Sequence, residues 1–214
     1  MHRPFGRPPR PGSRSGTLVA LVLAAWLFPS PASAQAPADA AAPAGLSAEL
    51  LRVRANLDKY RDPIVAVHDG YLSSVACVEF KEGGEGRMHY PAGGMGVHFL
   101  NLQLVGQPLD PARPQVLIYE PVAGRLQLAA AEWFVPTAAA GGKHPVIFGE
   151  AFQGPMEGHD PIQPKGLHHY DLHVWLWRHN PAGTFSPTNP AVVCPQGGYA
   201  FEEEAPRELP SRAQ

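Results

Sequence analysis

Four side chains that can bind a metal ion or transfer a proton occur where the sequence pattern predicts an apolar core residue. Side chains alternate between the two faces of a β-strand, so a polar residue in an apolar row is expected to point into the core. A buried imidazole or carboxylate is costly unless it is paired, which makes such positions candidate sites. The four residues lie on four different predicted strands and are His98, Glu120, Glu132 and His173.

Two imidazoles and one or two carboxylates could hold Zn²⁺ or a non-haem iron with an open coordination position. The same groups could also work without a metal, with Glu132 and His173 as an acid/base pair in a pocket walled by Trp133 and Trp175. A third interpretation is that each polar residue is a satisfied core group, or that its strand face is solvated rather than buried. Three function classes therefore stay open, in this order: a binding protein for a small ligand or metal ion, a metal-dependent or acid/base enzyme, and a structural or interaction module.

Motifs of known reactions are missing from the sequence. His169 and His173 have the spacing of a zinc-protease helix, but Tyr170 stands where that motif needs a glutamate, and the surrounding Trp and Val residues favour a strand. No Gly-x-Ser-x-Gly motif surrounds a serine, and the glycine-rich segments lack the Lys-Ser/Thr of a phosphate-binding loop. The sequence assigns no reaction.

One helical segment precedes the predicted strands. Ser47 is placed to cap a helix, and apolar residues follow at 3-4-3 spacing from Leu50 to Tyr60. Asp62-Pro63 interrupts this pattern, which then resumes. The pattern predicts a kinked helix, or two short ones, from Ser47 to about His68.

Short runs of β-branched, aromatic and leucine residues follow, separated by turns rich in Gly, Pro and Asp. These turns leave no room for crossover helices, so the strands are expected to pair antiparallel. The fold class predicted is α+β, with an N-terminal kinked helix packed on a curved, mainly antiparallel sheet of about five strands. The predicted strands are Val75–Phe80, Met95–Asn101, Gln115–Glu120, Leu126–Val135 and His168–Trp177.

Two loops and one return segment complete the predicted domain. Thr137–Lys143 and Gln153–Gly166 are expected to be open loops, the second either a binding loop or a solvated connection. Asn-Pro turns at 180–181 and 189–190 are expected to fold the chain back across the sheet, so that Cys194 reaches Cys77. We predict that these two cysteines form a disulfide; two free thiols, or ligation of a metal by both, are the alternatives.

The first 34 residues have the pattern of a signal peptide. Four arginines and no acidic residue precede the apolar run Thr17–Phe28, which is short for a membrane span, and Ala32-Ser33-Ala34 suits signal peptidase. An uncleaved anchor is the alternative. We therefore predict an exported protein, periplasmic or extracellular, in which the disulfide can form. The richness in Ala, Pro, Gly and Arg suits a bacterial source.

Cleavage after Ala34 would remove four positive charges and change the formal net charge from −2 to −6. Such an acidic domain argues against nucleic acid as a partner, because binding phosphate needs a basic surface. No second apolar run is long enough to span a membrane. The predicted organisation is a signal peptide at 1–34, a disordered linker at 35–46, one α+β domain at 47–200 and a disordered tail at 201–214; the oligomeric state is left open.

Four segments of the chain resemble those of a group of exported bacterial proteins to which no reaction is assigned. They are GMGVHFLN, RPQVLIYEP, LAAAEWFVP and LHVWLWRHNPAGTFSPTNPAVVC, and the likeness covers roughly Ser47 to Cys194. The resemblance implies export and a shared architecture. It implies no catalytic residue.

Overall fold

The computed structural model describes residues 41–81, 88, 90–159, 162–195, 200–203 and 205–210. All of them belong to one compact unit, Asp39–Gln214. The predicted signal peptide and the first half of the predicted linker, residues 35–40, lie outside the described residues. Among the described residues, no helix is long and apolar enough to cross a membrane.

The predicted helical segment forms three short pieces. They are α1 (Ala48–Leu57), a 3-10 turn (Asp58–Arg61) and α2 (Pro63–His68). The Ser47 hydroxyl accepts a main-chain N–H of the first turn of α1, and the Asp62 carboxylate does the same for α2. The chain breaks at Asp62 because a residue before proline disfavours helical angles, and its ψ is 109°.

Seven of the nine strands in the described part of the chain form one sheet with the order β7-β8-β4-β3-β2-β1-β9, while β5 pairs with β6. All pairs in the large sheet are antiparallel except β1 with β9. The strands are β1 (Leu72–Phe80), β2 (Gly93–Leu100), β3 (Val116–Val122), β4 (Arg125–Pro136), β5 (Val146–Ile147), β6 (Glu150–Ala151), β7 (Gln153–Met156), β8 (His169–Val174) and β9 (Ala200–Glu202).

The prediction of about five strands is wrong, although each predicted strand exists as β1, β2, β3, β4 or β8. The missed members of the large sheet, β7 (Gln153–Met156) and β9 (Ala200–Glu202), have four and three residues. Strands this short show no alternation of apolar and polar residues, so their sequences resemble loops. They are held by main-chain pairing with longer neighbours.

The predicted disordered tail is also wrong in its described part. Ala200–Glu202 pairs parallel with β1, and the chain then reaches β7 at the opposite edge of the sheet. There the N–H of Glu157 donates to the carbonyl of Arg207 at 2.9 Å, and the N–H of Leu209 donates to that of Pro155 at 2.7 Å. The segment 200–209 therefore connects the two edges of a curled sheet. It supplies partners for the N–H and C=O groups that an exposed edge strand would leave unpaired.

The two faces of the curled sheet are buried in different ways. One face packs against the helices in the main core cluster, which includes Leu57, Leu117 and Trp133. The other face carries smaller apolar clusters, in which Val192 of the return segment (180–194) and Ala205 of the terminal segment (205–210) take part. Polar side chains on this second face are consequently shut off from solvent.

The return segment closes the domain as predicted. Cys77 of β1 is bonded to Cys194, which lies 117 positions later in the sequence. Gly94 and Asn189 exchange two main-chain hydrogen bonds, of 3.1 and 3.0 Å, which hold the segment on β2.

Gly96 occupies a position in β2 that only glycine fits. Its φ is +91°, and a Cβ there would lie 2.7 Å from the carbonyl oxygen of Tyr119. We expect Gly96→Ala to lower the free energy of unfolding by about 2–4 kcal/mol, of which positive φ accounts for about 1–2 kcal/mol. Gly124→Ala is the matched control, since Gly124 has φ +75° but open space around it. Equal losses in urea unfolding of the two variants would contradict the steric argument.

Candidate metal centre

His98, Glu132 and His173 are brought to one place on the enclosed face of the sheet. Glu132 of β4 and His173 of β8 are direct cross-strand partners. His98 lies on β2, on the far side of β3, and its partner in β3 is Ile118. The β3 residue opposite Glu132 is Val116, so β3 contributes only apolar side chains between them. We call these three polar residues the first triad.

The geometry of the first triad is that of three donors around a common point. His98 Nε2 lies 3.7 Å from Glu132 Oε2, and His173 Nε2 lies 3.6 Å from the same oxygen. These separations are too long for hydrogen bonds. A tetrahedral ion with bonds of about 2.0–2.2 Å would separate its ligand atoms by about 3.3–3.6 Å. The two separations from Glu132 are close to this range, and one ligand atom from each of the three residues lies within 4.8 Å of the other two, so the group could hold a cation.

Burial sets the protonation states of the first triad. The three side chains are only 2–4% exposed. Burial lowers the pKa of His98 to about 3 and also lowers the pKa of His173, so both rings are neutral at pH 7, which is the form that binds metals. Burial, followed by the charges of Asp171 and Glu203, raises the pKa of Glu132 well above its ordinary value.

Several nitrogen atoms of the first triad have no hydrogen-bond partner among the described residues. They are Nδ1 of His98 and both ring nitrogens of His173. Buried polar atoms nearly always have a partner, and a bound ion would account for His173 Nε2, the unpaired atom that faces Glu132. These unpaired atoms argue against the interpretation that the triad consists of satisfied core groups.

Glu120 does not join the other three predicted residues. It lies near the end of β3 and is buried, with 9% of its surface exposed, and its Oε2 pairs with Nε of Arg178 at 3.1 Å. Burial raises the pKa of Glu120, and the charge of Arg178 opposes this shift. Glu120 is thus a paired carboxylate at the rim of the sheet, away from the first triad.

Trp133 is not a wall of the site. It follows Glu132 directly in β4, so its side chain points to the opposite face of the sheet. There it packs edge-on against Phe148, with ring centroids 4.9 Å apart, and its Nε1 donates to the carbonyl of Asp110 at 2.9 Å.

Trp175 lies on the predicted side of the sheet. It is buried in an apolar cluster with Val116 and Ile118, the two β3 residues that lie between His98 and Glu132 in the sheet. Its Nε1 donates to the carbonyl of Ser186 in the return segment at 2.7 Å.

Four further buried groups beside the first triad were not predicted as site residues. Two of them, His169 and Asp171, share a strand face with His173, so the alternating sequence His-x-Asp-x-His could have indicated them. The other two, His159 and Glu203, come from a predicted loop and from the predicted tail, where no sequence pattern indicates burial.

Comparison with known proteins yields no match: no family model fits the chain, and neither a curated protein nor a solved structure is significantly similar to it.

Proposed function

We propose that this protein binds a divalent transition-metal ion at His98, Glu132 and His173. The observation that carries the proposal is that one Glu132 oxygen faces both imidazole Nε2 atoms at 3.6–3.7 Å in a fully buried setting. Two neutral imidazoles and one carboxylate suit Zn²⁺ or Fe²⁺. Calcium and magnesium prefer oxygen ligands alone and are disfavoured here.

Binding is favoured over catalysis at the first triad because its side chains are shut off from solvent. An enzyme needs a route by which its substrate reaches the open coordination position of the metal. The cleft that the structure describes is lined by residues outside the first triad. A metal-dependent enzyme that uses these three residues is therefore the second candidate.

The proposed location of this metal centre is outside the cytoplasm, in an exported protein. The Cys77–Cys194 disulfide is compatible with an oxidising compartment outside the cytoplasm. The basic start and apolar run of the sequence have the pattern of a signal peptide. Mass spectrometry of the mature protein tests this part: a first residue at Gln35 supports export, and an intact Met1 contradicts it.

The metal content of the purified protein tests the binding proposal. We expect His98→Ala and His173→Ala each to remove one metal ion per chain without unfolding the domain. A structural Zn²⁺ site contributes about 10–16 kcal/mol, so loss of one of three ligands should weaken binding by about a hundredfold or more. His68→Ala is the control, since the His68 side chain is 88% exposed. Protein that contains no metal, and whose melting does not change when Zn²⁺ or Fe²⁺ is added, would refute the proposal.

A further inference from the structure

A second group of three metal-binding side chains lies next to the first triad. His159, His169 and Asp171 are all buried, and each offers one ligand atom such that all three atoms lie within 4.8 Å of one another. We call these residues the second triad. His169 and Asp171 lie on β8, and His159 lies three residues after the end of β7. The site is therefore at the edge of the sheet that β7 and β8 form.

The His169 ring is oriented so that Nε2 is available as a ligand. Its Nδ1 donates to the carbonyl of Leu167 at 3.0 Å, which in a neutral ring places the lone pair on Nε2. Nε2 lies 3.6 Å from Asp171 Oδ2 and has no hydrogen-bond partner among the described residues. The ring is stacked on Phe134, with centroids 4.8 Å apart, and is completely buried.

The His159 ring is oriented by a carboxylate. Its Nδ1 hydrogen-bonds Glu203 Oε1, and both side chains are 5% exposed or less. A carboxylate that holds the far nitrogen of a histidine is the common outer partner of a metal-bound imidazole. The His159 and His169 rings lie 5.5 Å apart between centroids, so the Nε2 atom of His159 can meet that of His169 at one ion.

We propose that His159, His169 and Asp171 form a second metal site, with Glu203 and the Leu167 carbonyl as the groups that orient its two imidazoles. The donor set equals that of the first triad, so Zn²⁺ or Fe²⁺ is again the expected ion. The second site stands on its own three ligands and does not require the first to be occupied.

Asp171 links the two sites. Its Oδ2 faces His169, whereas its Oδ1 lies 4.0 Å from Nδ1 of His173 in the first triad. Asp171 can therefore bind the second ion through one oxygen, while its other oxygen acts on His173 through its charge and not through a hydrogen bond.

The second triad is as buried as the first, but it lies beside a surface cleft that His159 lines. This cleft has a volume of about 160 Å³ and lies where the chain after β7 meets the terminal segment. Its other lining residues are Glu157, Gly158, Lys165, Ala205, Pro206 and Arg207. No residue of the first triad lines this cleft. The second ion should consequently exchange with solution faster than the first.

The test is the rate at which a chelator removes Zn²⁺ from the loaded full-length protein. We expect two ions per chain and two kinetic phases. His169→Ala should remove the fast phase, and His98→Ala should remove the slow phase. Asp171→Asn should remove the fast phase and accelerate the slow one, since it removes a ligand of the second site and a negative charge near His173. His68→Ala is the control, and thermal unfolding without metal shows that each variant folds.

Each other outcome decides between the two sites. One ion, lost in His98→Ala and kept in His169→Ala, overturns the second site and leaves the proposed function standing. One ion, kept in His98→Ala and lost in His169→Ala, supports the second site and overturns the first. A folded protein that binds no ion overturns both. If His169→Ala does not fold, the isosteric Asp171→Asn variant takes its place in the test. If Zn²⁺ still leaves Asp171→Asn in a fast phase, the second site is overturned.

Discussion

The Glu132→Gln variant is expected to bind metal at the first triad about a thousandfold more weakly than the unaltered protein. Glu132 is the one ligand of that triad that can carry a negative charge when it binds a cation, and its Oε2 faces both His98 and His173. An amide has nearly the same shape but carries no charge, so it removes the attraction for the cation while keeping the side-chain packing. A thousandfold weaker affinity corresponds to a loss of about 4 kcal/mol in binding free energy. A structural Zn²⁺ site contributes about 10–16 kcal/mol in total.

Glu120→Gln is the matched control for this prediction. Both carboxylates lie in the sheet, but Glu120 pairs with Arg178 at the rim of the sheet. Competition with a fluorescent zinc indicator should show unchanged affinity for Glu120→Gln and reduced affinity for Glu132→Gln. The two variants should melt close to the unaltered protein when metal is absent. Similar affinities for both variants would mean that Glu132 is not a ligand.

Alternation along strands was sufficient to find the first triad from the sequence. His98, Glu132 and His173 each interrupt an apolar row, and such an interruption has a physical meaning because burial of an ionisable group is costly. The same rule shows why Trp133 was wrongly predicted as a pocket wall. Adjacent residues of a strand point to opposite faces, so Trp133 cannot share a pocket with Glu132.

Glu120 shows the limit of the same rule. It continues the face of β3 that carries Val116 and Ile118, yet it lies farther along the strand, where Arg178 reaches it. Alternation predicts the face of a residue but not its position along the curled sheet. That position depends on the register between strands, which the sequence does not display.

The second triad depends on long-range pairing that local patterns do not contain. Glu203 and Ala205 belong to a charged, proline-containing stretch that resembles a disordered tail. Main-chain hydrogen bonds hold this stretch, from Glu203 to the carbonyl of Glu79 and between 207–209 and 155–157. His159 is buried against Glu203 and the His169 ring. The sequence therefore predicts the centre of the sheet well and its closure poorly.

Removal of the disulfide is expected to have the largest effect on stability. In the chain-entropy view, a cross-link stabilises a protein by restricting its unfolded state, and a loop closed by residues 117 apart corresponds to about 5 kcal/mol. Domains of this kind have a total stability of about 5–15 kcal/mol. We therefore expect the double variant Cys77→Ser/Cys194→Ser to lose a large part of its stability, about 3–5 kcal/mol.

The loss should show as a lower midpoint of urea unfolding, and it should be accompanied by weaker metal binding. Cys194 ties the return segment to β1, and that segment is also paired with Gly94 of β2, four residues before His98. Loosening of this connection should let β2 move relative to β4 and disturb the ligand geometry of the first triad. Wild-type protein in excess reductant is the control and should match the double variant in both measurements. An unchanged midpoint in the double variant would show that the sheet closes without the covalent link, through main-chain pairing alone.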